Sequence, residues 1–369
     1  MTLQEEIKTK ASQIFRDSYQ MSIGELINLY RDGEMDIHPE FQRVFRWNDY
    51  QKTRLIESIM LNIPIPPIFV SQDEDGVWDV IDGVQRLSTI FQFIGILKDE
   101  NSKEVKPLVL LGTDYLPSFE GMRWEDEDEN EEKGFTKEQQ LNFKRSRLDV
   151  TIVKKESDPN TKFELFQRLN TGGSLLSDQE VRNCLMIMSN KDFYEFIDSL
   201  EKYPSFRNTI SISDRKSDEE YRMELLLRLL VAVEIDWDVA KTYKVFVELL
   251  DKEVLKLCNN KDYDTEKTKE KFHKTFDVIN DALGEDSFKR FVDDRHIGPF
   301  LNASYQAVSY GVYNNIDQIL GLEGYKTWLV NKIKQMYEID SFSRNMATGV
   351  KAIPRYIDLS EFGINYFRP

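Results

Sequence analysis

The stretch that most constrains this chain runs from a strand into a helix with two residues between them. Val77-Trp78-Asp79-Val80-Ile81 has the β-branched and aromatic content of a strand, and Asp82-Gly83 stops it. Val84 onward resumes with helical spacing, placing Leu87, Ile90, Phe91 and Ile94 on one face. A strand and an amphipathic helix joined this closely are compatible with the α+β class expected of this chain. Arg86 then falls in the first turn of the helix, where the macrodipole disfavours a cation. Two arrangements account for it. Asp82 can cap the helix while Arg86 reaches a carboxylate. Alternatively, the glycine turn exposes backbone N–H groups to a bound anion, which Arg86 and Gln85 also face.

The rest of the N-terminal half alternates helices and short strands. A helix is expected over 3–18, and a second opens at the Ser22-x-x-Glu25 capping box and stops at Asp32-Gly33. The segment 34–47 reads as extended, and a third helix starts at Asn48-Asp49 and runs through Leu61. Prolines keep Asn62–Ser71 extended, because each lacks a donor and pushes its predecessor out of the helical region. Strands are expected at 105–112 and 148–155, with helices following Thr136-x-x-Gln139 and over 160–169. From the Ser177-x-x-Glu180 box onward nearly every segment has helical periodicity. This change sets two expected domains, 1–174 and an all-helical 175–369.

Two further stretches carry candidate chemistry. In Phe41–Asn48, Arg43 and Arg46 are interleaved with Phe41, Phe45 and Trp47, a pattern that suits base stacking and phosphate contacts as well as an edge strand. In 163–180, a helix ends at Asn170-Thr171-Gly172-Gly173, which serves as a helix stop or as a loop that holds phosphate or hydrated magnesium. Other chemistries are disfavoured. The histidines, His38, His273 and His296, lack paired spacing, so histidine-based zinc proteases and nucleases are not expected. Asp293-Asp294-Arg295-His296 reads as a turn or helix end rather than a metal cluster. Cys184 and Cys258 lie far apart in helical patterns and read as buried reduced thiols.

The formal charge of −16 argues against unaided non-specific DNA binding, although a local basic patch stays open. The acidic run Glu125–Glu132 reads as a solvated loop, or as a strip that mimics DNA. No apolar run reaches membrane-spanning length and no signal-peptide segment opens the chain, so a cytoplasmic protein is expected.

Together, Arg43 to Trp47, Asp82-Gly83-Val84-Gln85-Arg86 and Phe166 to Ser177 resemble the N-terminal domains of GmrSD-type restriction systems. That family is known by an Asp-Gly-Gln-Gln-Arg motif and is similar to the ParB/sulfiredoxin fold. Here valine stands in the middle of the motif. The resemblance covers about 20–185 and implies a ParB/sulfiredoxin-like domain binding a nucleoside triphosphate with Mg2+, in defence against foreign or modified DNA. It implies that Asp82 orients the turn or a metal-bound water, and that Arg86 and Gln85 hold phosphates beside Gly83. Arg43, Arg46 and Trp47 would close over the nucleotide, with Asn170, Thr171 and Gly172 assisting the magnesium. No metal ligand set of the chain's own is expected. The expected function is that of a regulatory component, a weak NTPase and not a stand-alone HNH nuclease. DNA or a partner nuclease subunit and self-association stay open, with no membrane partner. The alternative is a non-enzymatic interaction or DNA-mimic protein on the same fold.

Overall fold

The computed structural model describes residues 2–11, 15–37, 47–72, 75–99, 101–126, 133–154, 177–213, 220–347 and 349–369. Contacts divide the chain into two units, Met1–Leu175 and Leu176–Pro369. The first contains α1 (Leu3–Ala11), β1 (Arg16–Ser22), α2 (Ile23–Arg31), β2 (Met35–Asp36), α3 (Asp49–Met60), β3 (Ile68–Gln72), β4 (Trp78–Asp82), α4 (Val84–Phe93), α5 (Lys137–Arg145) and β5 (Arg147–Val153). Its sheet has the order β1-β5-β3-β4-β2. β1 runs antiparallel to β5, β3 parallel to β5 and antiparallel to β4, and β2 parallel to β4.

Helix α4 is the centre of this unit. Leu87, Ile90, Phe91 and Phe93 are fully buried on it. Tyr30 of α2 stacks on Phe91 with ring centroids 4.3 Å apart, while Phe93 meets Trp124, Phe135 and Phe143 edge-on. Such aromatic pairs add directional preference to the burial itself. Reciprocal capping boxes open α3 at Asn48/Gln51 and α5 at Thr136/Gln139, satisfying N–H groups that a bare helix start leaves orphaned.

The second unit contains α6 (Asp178–Ser189), α7 (Lys191–Glu201), α8 (Pro204–Thr209), α9 (Tyr221–Glu234), α10 (Trp237–Ala240), α11 (Phe246–Cys258), α12 (Thr265–Leu283), β6 (Arg290–Val292), β7 (Arg295–Ile297), α13 (Asn302–Leu320), α14 (Tyr325–Met336), α15 (Asp340–Asn345) and α16 (Ala352–Tyr366). Ser177 and Glu180 form the capping box that opens α6. Buried phenols fix the apolar helix α9. Tyr305 donates to the Leu225 carbonyl (2.9 Å), Tyr356 to that of Arg228 (2.5 Å) and Tyr310 to that of Ala232 (2.6 Å). A buried ion pair, Arg182–Asp251 at 2.8 Å, joins α6 to α11. Both cysteines are free and buried, and burial raises both thiol pKa values. Among the described residues no helix is long and apolar enough to cross a membrane.

The structure is mixed α/β with a helical second unit, and it departs from the sequence reading at three places. The first helix stops at Ala11, and Arg16–Ser22 forms β1, because seven residues pair in register with the distant β5; non-local pairing overrides local periodicity. Residues 105–112 form no strand. Leu108 and Leu110 are buried, but their N–H groups bond to the Gln92 and Met122 carbonyls rather than to a ladder. The second unit is not all-helical, because β6 and β7 form a hairpin. Asp293 and Asp294 both have positive φ (50° and 59°), the geometry of a tight hairpin turn. The expected helix at 160–169 and residues 127–132 of the acidic run lie outside the described residues.

Helices α13 and α16 cross at two glycines. A Cβ on Gly311 would overlap the Gly363 carbonyl oxygen and lie 2.6 Å from Phe367 Cδ2. Gly311→Ala is expected to cost about 1–3 kcal/mol in urea denaturation, as overpacking of a fixed crossing does.

Acid should weaken the second unit. Both ring nitrogens of His296 are buried, with the Lys289 carbonyl nearby. Burial lowers its pKa below 6.5, with Lys334 and Lys289 acting in the same direction; the Lys289 carbonyl and Asp286 pull the other way. The folded state therefore favours the neutral ring. This contribution is fully present above the unfolded pKa of about 6.5 and is lost as pH falls through the depressed folded value. The denaturation midpoint should decline on acidification from about pH 7. His296→Gln should flatten that decline, with a remainder from His273, whose pKa burial also lowers.

Candidate functional site

The site begins where β4 ends. Gly83 caps α4 in the left-handed region, φ 102°, and contributes no side-chain cap. A Cβ there would overlap Ile68 Cδ1 and lie 3.4 Å from Arg86 Nη2. Glycine is thus required by backbone angle and by space. The first turn of α4 carries no acidic residue and starts without a capping hydroxyl or carboxylate.

Arg86 is 8% exposed. Its Nη2 donates to Asp82 Oδ2 at 2.5 Å, and its Nη1 donates to the carbonyls of Pro66 and, at 3.1 Å, Pro67. The Asp82 carboxylate, at the end of β4, offsets the unfavourable dipole. The prolines explain the other two contacts. A proline-rich extended segment has carbonyls but few N–H groups, and the guanidinium supplies the missing donors.

The structure brings Trp47 to this turn. Its backbone N–H donates to Gln85 Oε1 at 3.2 Å, across 38 positions of sequence. Asp82, Gly83, Gln85, Arg86 and Trp47 therefore form one cluster. Arg43, Arg46, Asn170, Thr171 and Gly172 lie outside the described residues.

Four participants escaped the sequence reading. The Pro66 and Pro67 carbonyls are invisible in side-chain patterns. Ser88 and Thr89 had a signal: they stand three and four residues after Gln85, hence on its face of the helix. Both are buried, at 8% and 1% exposure, and neither hydroxyl has a hydrogen-bond partner. In the second unit, Asp293 and Asp294 serve the hairpin turn. Among the described residues no group of three or more His, Cys, Asp or Glu is placed to hold a metal.

Residues 23–187 match the family model described as GmrSD restriction endonuclease, N-terminal domain. The match starts at the first residue of α2 and ends inside α6. No curated protein and no solved structure matched the chain.

The Arg86 clasp has a measurable consequence. Arg86→Ala removes donors from two carbonyls and leaves Asp82 without its cation. The loss should be about 3 kcal/mol, the low end for breaking a buried pair. Asp82 keeps 29% of its side-chain surface in water, which limits the penalty. Equilibrium urea denaturation measures it; an unchanged midpoint would show that the clasp adds nothing to stability.

Proposed function

Because residues 23–187 are a GmrSD-type N-terminal domain, we propose that this chain is a nucleoside-triphosphate-binding regulatory component of a prokaryotic DNA-targeting restriction system. The observation that carries this reading is the contact between Trp47 and Gln85. It places the end of the arginine-bearing segment 43–47 against the first turn of α4. Phosphates would meet the backbone N–H groups of that turn together with Gln85. Arg43 and Arg46 would close over them from the segment that ends at Trp47. Arg86, already engaged by Asp82 and two carbonyls, would act by holding the turn in shape. The mixed five-stranded sheet and its strand–glycine–helix turn support a ParB/sulfiredoxin-like relationship.

The residues present fit a nucleotide. The start of α4 is uncapped, and two buried hydroxyls one turn further along lack partners. Magnesium would arrive with the phosphates, as it commonly does when a protein supplies few carboxylates of its own. Asn170 and Thr171 are the residues proposed to assist it. Bound magnesium neutralises phosphate charge. Val84 contributes no hydrogen bond from the middle of the motif, so slow hydrolysis is the expected activity.

Calorimetry and thermal melts with each common ribonucleoside and deoxyribonucleoside triphosphate, with and without Mg2+, test the proposal. A ligand at one hundred times its Kd should stabilise the protein by about 2.7 kcal/mol. Absence of heat and of any melting shift with all of them overturns the proposal. A shift without phosphate release assigns binding without turnover.

A further inference from the structure

Helix α4 carries a polar stripe through an otherwise apolar interior. At about 100° per residue, Gln85, Ser88, Thr89 and Gln92 fall within about 100° of one another. The ends of the stripe have partners. Gln85 accepts from the Trp47 N–H, and Gln92 donates to the Lys106 carbonyl at 3.0 Å. The middle does not: the hydroxyls of Ser88 and Thr89 are buried and unpartnered. Several helical hydroxyls elsewhere in the molecule fold back on their own backbone. Ser58 donates to the Arg54 carbonyl, Thr275 to Lys271, Ser309 to Tyr305 and Ser360 to Tyr356. That contact is open to any helical serine or threonine, yet both residues forgo it. Leaving a buried hydroxyl unpaired is unfavourable, and two adjacent ones on a central helix call for an occupant.

We infer that Ser88 and Thr89 hold the sugar of a bound nucleoside triphosphate through its vicinal hydroxyls. This rests on the nucleotide reading above and deepens it. The two hydroxyls stand about one helical turn, roughly 5.4 Å, inward from the first-turn N–H groups proposed to take the phosphates. Side chains on a helix lean toward its N-terminus, which brings both hydroxyls back toward that end. The group lying one turn from the phosphates is the sugar attached to them. The chemistry agrees. Each hydroxyl donates and accepts, as a sugar hydroxyl does, whereas a phosphate oxygen only accepts. A base edge asks for a fixed donor–acceptor pattern; the nearby amide of Gln92 is already engaged by Lys106.

The test uses the full chain, Mg2+, the four ribonucleoside triphosphates and their 2′-deoxy and 3′-deoxy counterparts in titration calorimetry. The wild type should bind its preferred ribonucleotide at least about tenfold more tightly than either deoxy form, the worth of one lost hydrogen bond in a buried site. Ser88→Ala and Thr89→Val should each move that ratio toward one. Their melting temperatures without nucleotide should stay level or rise, because each change removes an unpaired buried group. Equal binding of ribo and deoxy forms by the wild type overturns the inference while leaving nucleotide binding intact. So does a variant that keeps the wild-type ratio. A marked fall in melting temperature without ligand would assign the hydroxyls to structural buried water instead. Failure to bind any triphosphate overturns the nucleotide reading itself, and this inference with it.

Discussion

The first unit depends on a guanidinium that turns back on its own helix. Arg86 joins the last residue of β4, the first turn of α4 and the carbonyls just before β3. β3 pairs with both β4 and β5, so the clasp fixes the central strands relative to the helix that covers them. It works only because Gly83 lets the chain turn with positive φ and leaves room for Ile68. A cation at a helix start is an electrostatic liability in isolation. With a carboxylate and two carbonyls around it, it becomes the joint between three elements.

The two units solve the burial problem differently. In the first, helix α4 is submerged, with Phe93 met edge-on by three aromatic rings and Phe91 stacked on Tyr30. In the second, an apolar helix is pinned by phenols whose hydroxyls reach its carbonyls, while two glycines let neighbouring backbones touch. The phenol contacts add direction to apolar packing that would otherwise tolerate rotation of the helix about its axis.

Local chemistry was legible in the sequence, and distant pairing was not. The helix starts at Ser22, Asn48, Thr136 and Ser177 can be read because each cap lies within three residues of its partner. The strand ending at Asp82 and the helix after Gly83 follow from one glycine between two periodicities. The start of β1, residues 16–18, reads as helix because its partner lies over a hundred residues away. The apolar run within 105–112 suits a strand, but its N–H groups bond to the Gln92 and Met122 carbonyls instead of a ladder. At the site, the meeting of Trp47 with the motif turn could be suspected from shared residue types. The acceptors of Arg86 could not, since two of them are backbone atoms of prolines.

Helix α6 raises a question of inheritance. The segment recognised as a family domain ends at residue 187, within this helix. Yet the packing of α6 belongs to the second unit: Arg182 is buried against Asp251, and Cys184, Leu185 and Met186 are fully enclosed. A fragment excised at the limit of family likeness would carry away a helix whose buried charge and apolar face have lost their seats. The stretch that matches the family model and the stretch that packs as a unit therefore have different limits, and α6 lies across the difference.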